Sequence, residues 1–249
     1  MSAPFTGVGV ALVTLFDDDL AVDVAATADH ARRLVTAGIG AIVVAGSTGE
    51  AASLTLDERG ALLDAIRPIA PVLVAGTGAP SAGQAVELTR HAIDHGADAV
   101  LALSPPATGD PRRYYDRVAA VAGPTPVLAY HYPVMSQPGI AVDVLPDLPV
   151  AGVKDSSGDP ERLMATLHVW DRPTYTGSSV ILSFAGAMGA AGAILALANV
   201  EPAGCIAAFA CDADAQRSLW EPHDAARSIG GLKDLLAKRA GTSPARRMG

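Results

Sequence analysis

The chain reads as an α/β fold, a closed (β/α)8 TIM barrel, on three observations. Short apolar runs alternate with amphipathic, alanine-rich segments from end to end, which is how parallel β/α layers look in sequence. Eight such runs favour a closed barrel over an open sheet, and the length of 249 residues lies near the roughly 250 typical of that barrel. Hydrophobic residues make up 50% of the chain but aromatics only 4%, so Ala, Val and Leu must fill the layers.

Taken in order, the strand candidates are residues 8–13, 41–45, 72–75, 99–103, 127–130, 152–154, 175–177 and 193–197. Helical patterns fill the gaps, most clearly at 23–36, 55–66, 81–94, 111–122 and 160–170. Asp23 and Asp159 suit N-cap positions, where a side-chain oxygen accepts from a free first-turn N–H. Pro111 and Pro160 suit the first helical turn, and Gly38 and Gly96 follow helix ends. Between the fifth and sixth strands, 141–148 leaves room for only a brief helix. The barrel is assigned to 1–210. Residues 211–249 form a helical extension of the same domain, with a final helix near 232–239 and a frayed tail beyond it.

Several function classes are disfavoured. A net charge of -8 argues against a phosphate-backbone partner, and the basic residues between 239 and 247 read as a solvated helix end. The uncharged stretch 180–200 is about long enough to span a bilayer. Ala, Gly and Ser dominate it, however, and Gly189 and Gly192 interrupt it, so it divides into a helix near 183–188 and a strand near 193–200. Cys205 and Cys211 are too few for a disulfide scaffold, and the six histidines make no metal-ligand spacing; His91 and His95 share a helical face but lack a third ligand. The opening residues lack the basic and apolar regions of a signal peptide, so a cytoplasmic location is expected.

In such barrels the active site forms at the carboxyl ends of the strands. That rule selects Gly46-Ser-Thr-Gly-Glu50, Gly76-Thr-Gly78, Ser104-Pro-Pro-Ala107, Tyr130-His-Tyr-Pro133 and Lys154-Asp-Ser-Ser157. Lys154 has two readings. It is a strand-end lysine paired with Asp155 or Asp159, or it is a buried amine whose lowered pKa makes it a Schiff-base nucleophile. Ser47 and Thr48 lie in an ordinary glycine turn or in a nest of N–H groups and hydroxyls that holds a carboxylate; the spacing GxxxxGK[ST] of a phosphate loop is absent. Gly76-Thr-Gly-Ala-Pro-Ser does not complete GxGxxG, because Pro80 falls inside the pattern. Tyr130 is barrel packing or, beside an amine and a hydroxyl turn, a proton shuttle.

Gly46-Ser-Thr-Gly-Glu50, Tyr130-x-x-Pro133 and Gly152-Val-Lys-Asp-Ser-Ser-Gly-Asp159 occur in the order and spacing of one family. From about Gly7 to Phe209 the chain resembles the Schiff-base class I aldolases and lyases that include dihydrodipicolinate synthase and N-acetylneuraminate lyase. The resemblance implies that Lys154 condenses with the ketone of pyruvate or another 2-oxo acid, that Tyr130 carries protons, and that Ser47 and Thr48 bind the carboxylate. Gly177 and Ile194 match positions lining the family's pocket. No cofactor or metal is implied. The partners are a small-molecule 2-oxo acid and an aldehyde, and a homo-oligomer, tetramer or dimer, is expected.

Departures from the family pattern narrow the substrate. Dihydrodipicolinate synthases carry an arginine shortly after Tyr-x-x-Pro, where this chain has Val134-Met135-Ser136, and a tyrosine pair where Pro106-Ala107 stands. Sialic acid lyases place carboxylates where Ser178-Ser179-Val180 lies. His131 replaces the usual asparagine, and strand alternation turns it from the barrel axis. The carboxyl-terminal extension is shortened, with two helices within 220–238 where members have three. The resulting expectation is a carbon-carbon lyase of the pyruvate-aldolase type acting with a compact or weakly charged aldehyde. A 2-oxo acid dehydratase or 4-hydroxy-tetrahydrodipicolinate synthase of the same family is the nearer alternative, and a non-catalytic 2-oxo-acid-binding protein the more distant one.

Overall fold

Eight parallel strands close on themselves in a computed structural model that describes residues 3–248: β1 (Gly7–Ala11), β2 (Ala41–Val44), β3 (Leu73–Gly76), β4 (Ala99–Leu103), β5 (Val127–His131), β6 (Gly152–Asp155), β7 (Thr174–Thr176) and β8 (Gly192–Leu195). Residues 1, 2 and 249, at the outer limits of the expected barrel and extension, lie outside the described residues. β8 pairs back onto β1, so every strand has two neighbours and no edge is left open. Each strand is buried on both faces, which explains its unbroken apolar run. Inward residues Ala11, Val43, Val74, Leu101, Leu128 and Ile194 form the barrel interior, while Val10, Ile42, Leu73 and Val100 are buried in or against the layer beneath the helices. Few aromatics are needed. Phe5 and Tyr175 stack with centroids 4.7 Å apart at the amino end, and the Tyr175 hydroxyl donates to the Phe5 carbonyl at 2.8 Å.

The outer layer comprises α1 (Val24–Thr36), α2 (Leu56–Ile66), α3 (Ala82–Asp94), α4 (Arg112–Ala122), α5 (Pro160–Val169), α6 (Leu182–Ala187) and α7 (Pro202–Phe209). Asp23 accepts from Ala26 N at 2.8 Å, and Asp159 from Glu161 N at 2.9 Å. Pro160 opens α5 as expected. Pro111 does not sit in the first turn of α4. It occupies the cap position, and the Asp110 carboxylate accepts from Arg112 N at 3.0 Å in its place. The link from β5 to β6 holds only a 3-10 turn, Val142–Asp147. The uncharged stretch 180–200 splits among two 3-10 turns, α6 and β8, the strand ending at Leu195 rather than near 200, and no described helix is long and apolar enough to cross a membrane.

Three helices complete the described chain: α8 (Ala213–Ser218), α9 (Trp220–Ala225) and α10 (Ile229–Ala240). The last two fall where two were expected, and α8 precedes them. The frayed tail is a correction. Residues 245–248 are bound beside the turn that follows β2, where the fully buried Glu50 needs donors. The Lys233 ammonium meets Glu50 Oε1 at 2.5 Å, and the N–H groups of Arg247 and Met248 donate to Oε2 at 2.8 and 2.6 Å. The charges that read as a solvated helix end therefore include one clamp residue, Arg247, which pairs with Glu58.

Removing one partner of a buried ion pair strands the other. Glu50→Gln is expected to lower the unfolding free energy in urea by about 3 kcal/mol, against about 1 kcal/mol or less for Glu58→Gln, whose pair with Arg247 is partly solvated.

Candidate active site

Parallel pairing places Tyr130 opposite Lys154 at the carboxyl ends of β5 and β6, so the two side chains rise together. The Lys154 Nζ lies 4.2 Å from the centroid of the Tyr130 ring. The lysine is only 5% exposed, and no described carboxylate pairs with it. Burial lowers its pKa from 10.5 to about 7, so a free amine is available near neutrality. Alternation turns Asp155 outward, where its carboxylate accepts from Arg162 Nε at 2.6 Å and from Ser157, while Asp159 caps α5. The surface-pair reading of Lys154 is thereby removed.

The Tyr130 hydroxyl accepts from Ser156 Oγ at 3.4 Å. Burial pushes the phenol above its ordinary pKa, and the Ser156 and Ser47 hydroxyls pull it partly back. It stays protonated at neutral pH, as a proton carrier requires. His131 points away from the axis as expected, with Nδ1 accepting from Ile140 N at 2.9 Å, and burial lowers its pKa to about 4. Tyr114 and Tyr115 are structural. Ala79 N donates to the Tyr114 hydroxyl, and the Tyr115 hydroxyl donates to Ala102 O.

Ser47 and Thr48 open a 3-10 turn, Ser47–Gly49, directly after β2. Among the described residues their N–H groups donate to no protein acceptor, as a nest for an anion requires. Neighbours hold the turn in place. The Thr14 hydroxyl donates to Gly49 O at 2.8 Å, and the buried Arg59 guanidinium bridges Gly76 O, at 3.0 Å, and Ala51 O. Gly76 has no substitute, since a Cβ there would sit 2.2 Å from Ala45 O.

Lys154, Tyr130, Ser47 and Thr48 line one cavity of about 540 Å³. Gly177 stands beside it at the end of β7. A Cβ on it would come 1.8 Å from Ser156 Oγ and 3.0 Å from Lys154 Cε, so its lack of a side chain makes room for both. Ile194 is not a cavity wall; it is fully buried in the barrel interior with Tyr130 and Val43. Sequence reasoning missed Thr14, Arg59 and Met248, and it gave no role to Ser104 and Ser156, which it had placed among the strand-end residues. Ser156 was within reach, because it lies two residues after Lys154 and so on the same side of the chain. Ser104 lines the cavity with its buried hydroxyl unpartnered, and Arg59 and Met248 reach the same cavity from α2 and from beyond α10.

Comparison with known proteins agrees with this geometry. The sequence model of the dihydrodipicolinate synthetase family matches residues 4–215. An uncharacterised DapA-like lyase of Halobacterium salinarum is 38% identical over 79% of this chain and 68% of its own length. A 4-hydroxy-tetrahydrodipicolinate synthase of Natronomonas pharaonis is 33% identical over 80% and 71%. Among solved structures, YagE from E. coli K12, a prophage protein of the dihydrodipicolinic acid synthase family in complex with pyruvate, superposes with a TM-score of 0.90 at 22% identity, covering 98% of this chain and 92% of that one. The chloride-inhibited dihydrodipicolinate synthase of Acinetobacter baumannii, complexed with pyruvate, gives a TM-score of 0.87 at 25% identity over 99% and 92%. With the barrel, the lysine-tyrosine pair and a family match over most of its length in agreement, the chain belongs to the dihydrodipicolinate synthetase family.

Proposed function

We propose that the protein is a Schiff-base aldolase that reversibly joins pyruvate, or a related 2-oxo acid, to an aldehyde. The observation that carries this reading is the buried Lys154 amine, with no counter-charge among the described residues and 4.2 Å from the Tyr130 ring centroid. The Lys154 nitrogen attacks the ketone carbon; proton transfers through Tyr130 make the oxygen leave as water, and an iminium remains. The substrate carboxylate lies on the Ser47 and Thr48 turn. Loss of a C3 proton gives an enamine, whose carbon attacks the aldehyde carbonyl and forms the C–C bond, and the alkoxide takes a proton. Water then hydrolyses the iminium and returns the amine. Cleavage runs the same steps backwards.

The acceptor end supports a compact or weakly charged aldehyde. Leu101, Leu103, Pro106 and Met135 are among the residues lining the cavity, and the carboxylate-binding arginine of the lysine-biosynthetic enzymes is replaced by Val134-Met135-Ser136. Dehydration of a hydroxylated 2-oxo acid would use the same iminium. The similarity to 4-hydroxy-tetrahydrodipicolinate synthases keeps that activity as the alternative reading. The proposal extends to a cytoplasmic homo-oligomer, dimer or tetramer, and to a single domain in which the Lys233–Glu50 pair ties the extension to the barrel.

Pyruvate followed by borohydride is expected to leave a reduced adduct on Lys154, located by peptide mass mapping; no adduct there would overturn the proposal. Lys154→Ala is expected to abolish trapping with the circular dichroism spectrum unchanged. Tyr130→Phe should slow turnover by about a hundredfold or more while some adduct still forms. An adduct without turnover across a panel of aldehydes and 2-oxo acids would identify a binding protein instead.

Trapping also has a signed pH dependence. Only the neutral amine reacts, so the rate should rise about tenfold per unit below pH 6 and level off above pH 8, on either side of the lowered pKa of about 7. A rate that kept climbing to pH 10 would indicate a solvated lysine.

A further inference from the structure

The segment after α10 contributes to the cavity as well as to stability. Glu50, whose carboxylate it clamps, is the last residue of the Ser47–Thr48 motif, and its φ of 55° is a left-handed conformation that a non-glycine side chain adopts at a cost. Lys233 donates to Glu50 and to Ala245 O at 2.8 Å, so α10 and the segment share one buried charge pair. Arg247 forms a two-toothed pair with Glu58, at 2.7 and 3.0 Å, donates to the carbonyls of Leu20 and Ser53, and covers the Phe16 ring at 4.7 Å. These bonds fix the backbone at Met248, whose side chain forms part of the wall of the cavity holding Lys154 and Tyr130.

Two other apolar side chains share that wall and stay open to solvent. Leu56 at the start of α2 is 46% exposed, Met135 after β5 is 51%, and Met248 itself is 37%. Solvent-open apolar groups gathered on a cavity mark a surface that a ligand covers. Such a wall favours an apolar chain by about fourfold in affinity for each methylene it buries, and a flexible thioether adapts to its shape.

We propose that Met248 is a specificity-determining residue: with Leu56 and Met135 it selects 2-oxo acids, and therefore aldol partners, that carry an apolar tail, and its reach sets the length admitted. The inference rests on the Schiff-base reading of Lys154 and adds the substrate class to it.

Borohydride trapping on Lys154 with straight-chain 2-oxo acids, from pyruvate to 2-oxooctanoate, tests this without knowledge of the natural aldehyde. In the full chain, Met248→Ala is expected to raise trapping of the longest acid relative to pyruvate by about fivefold or more, and Met248→Trp to lower it by a similar factor. Pyruvate, which has no chain beyond its methyl group, is the internal standard. Length profiles that coincide within about twofold for all three proteins, or that shift equally for every acid, would overturn the role of Met248 while leaving the Schiff base intact. Failure of the unmodified protein to trap pyruvate would instead remove the reading beneath it.

Discussion

An ammonium group loses its hydration when Lys154 is drawn into the barrel mouth, and no described carboxylate replaces that shell. The resulting penalty falls on the charged form alone, and the surroundings sustain it. β5 and β6 set Tyr130 beside the lysine, the absent side chain of Gly177 leaves space for it, and alternation directs Asp155 to Arg162 on the outer face. Were Asp155 to face inward, an ion pair would hold the amine in its charged form. The choice between chemistry and a plain surface salt bridge therefore depends on which way one residue of a strand points.

A second buried charge has the opposite treatment. Glu50 is enclosed completely but is met by Lys233 and two backbone N–H groups. The difference follows from function. A buried carboxylate that anchors a turn needs donors, whereas an amine proposed to attack a carbonyl must be able to shed its proton. Both charges belong to the same neighbourhood, since the turn ending in Glu50 presents Ser47 and Thr48 to the cavity whose floor holds Lys154. On the proposed mechanism, fixing the first helps position what the second acts upon.

Local signals carried much of the fold. The β4 segment at 99–103 was legible to the residue because an unbroken apolar run flanked by polar turns has one solution in a buried strand, and Asp23 and Asp159 were legible as caps because a helix start needs an acceptor within its own first turn. Pro111 was placed one position too deep, since the helix begins at Arg112, whose N–H the Asp110 carboxylate accepts. The segment after α10 was misjudged because its partners, Glu50 and Glu58, lie almost the whole chain away.

By itself the sequence determined the strand-helix alternation, the closed count of eight and the residue types at the strand ends, all of which follow from periodicity and short-range hydrogen bonding. Only the tertiary structure decided that Asp155 turns outward, that Ser156 reaches the Tyr130 hydroxyl, that Ile194 packs beneath the cavity rather than along it, and that Met248 returns to its wall. Burial and long-range pairing fix those outcomes. Both arise when the barrel closes and brings distant residues out of water together, which no local window of the chain records.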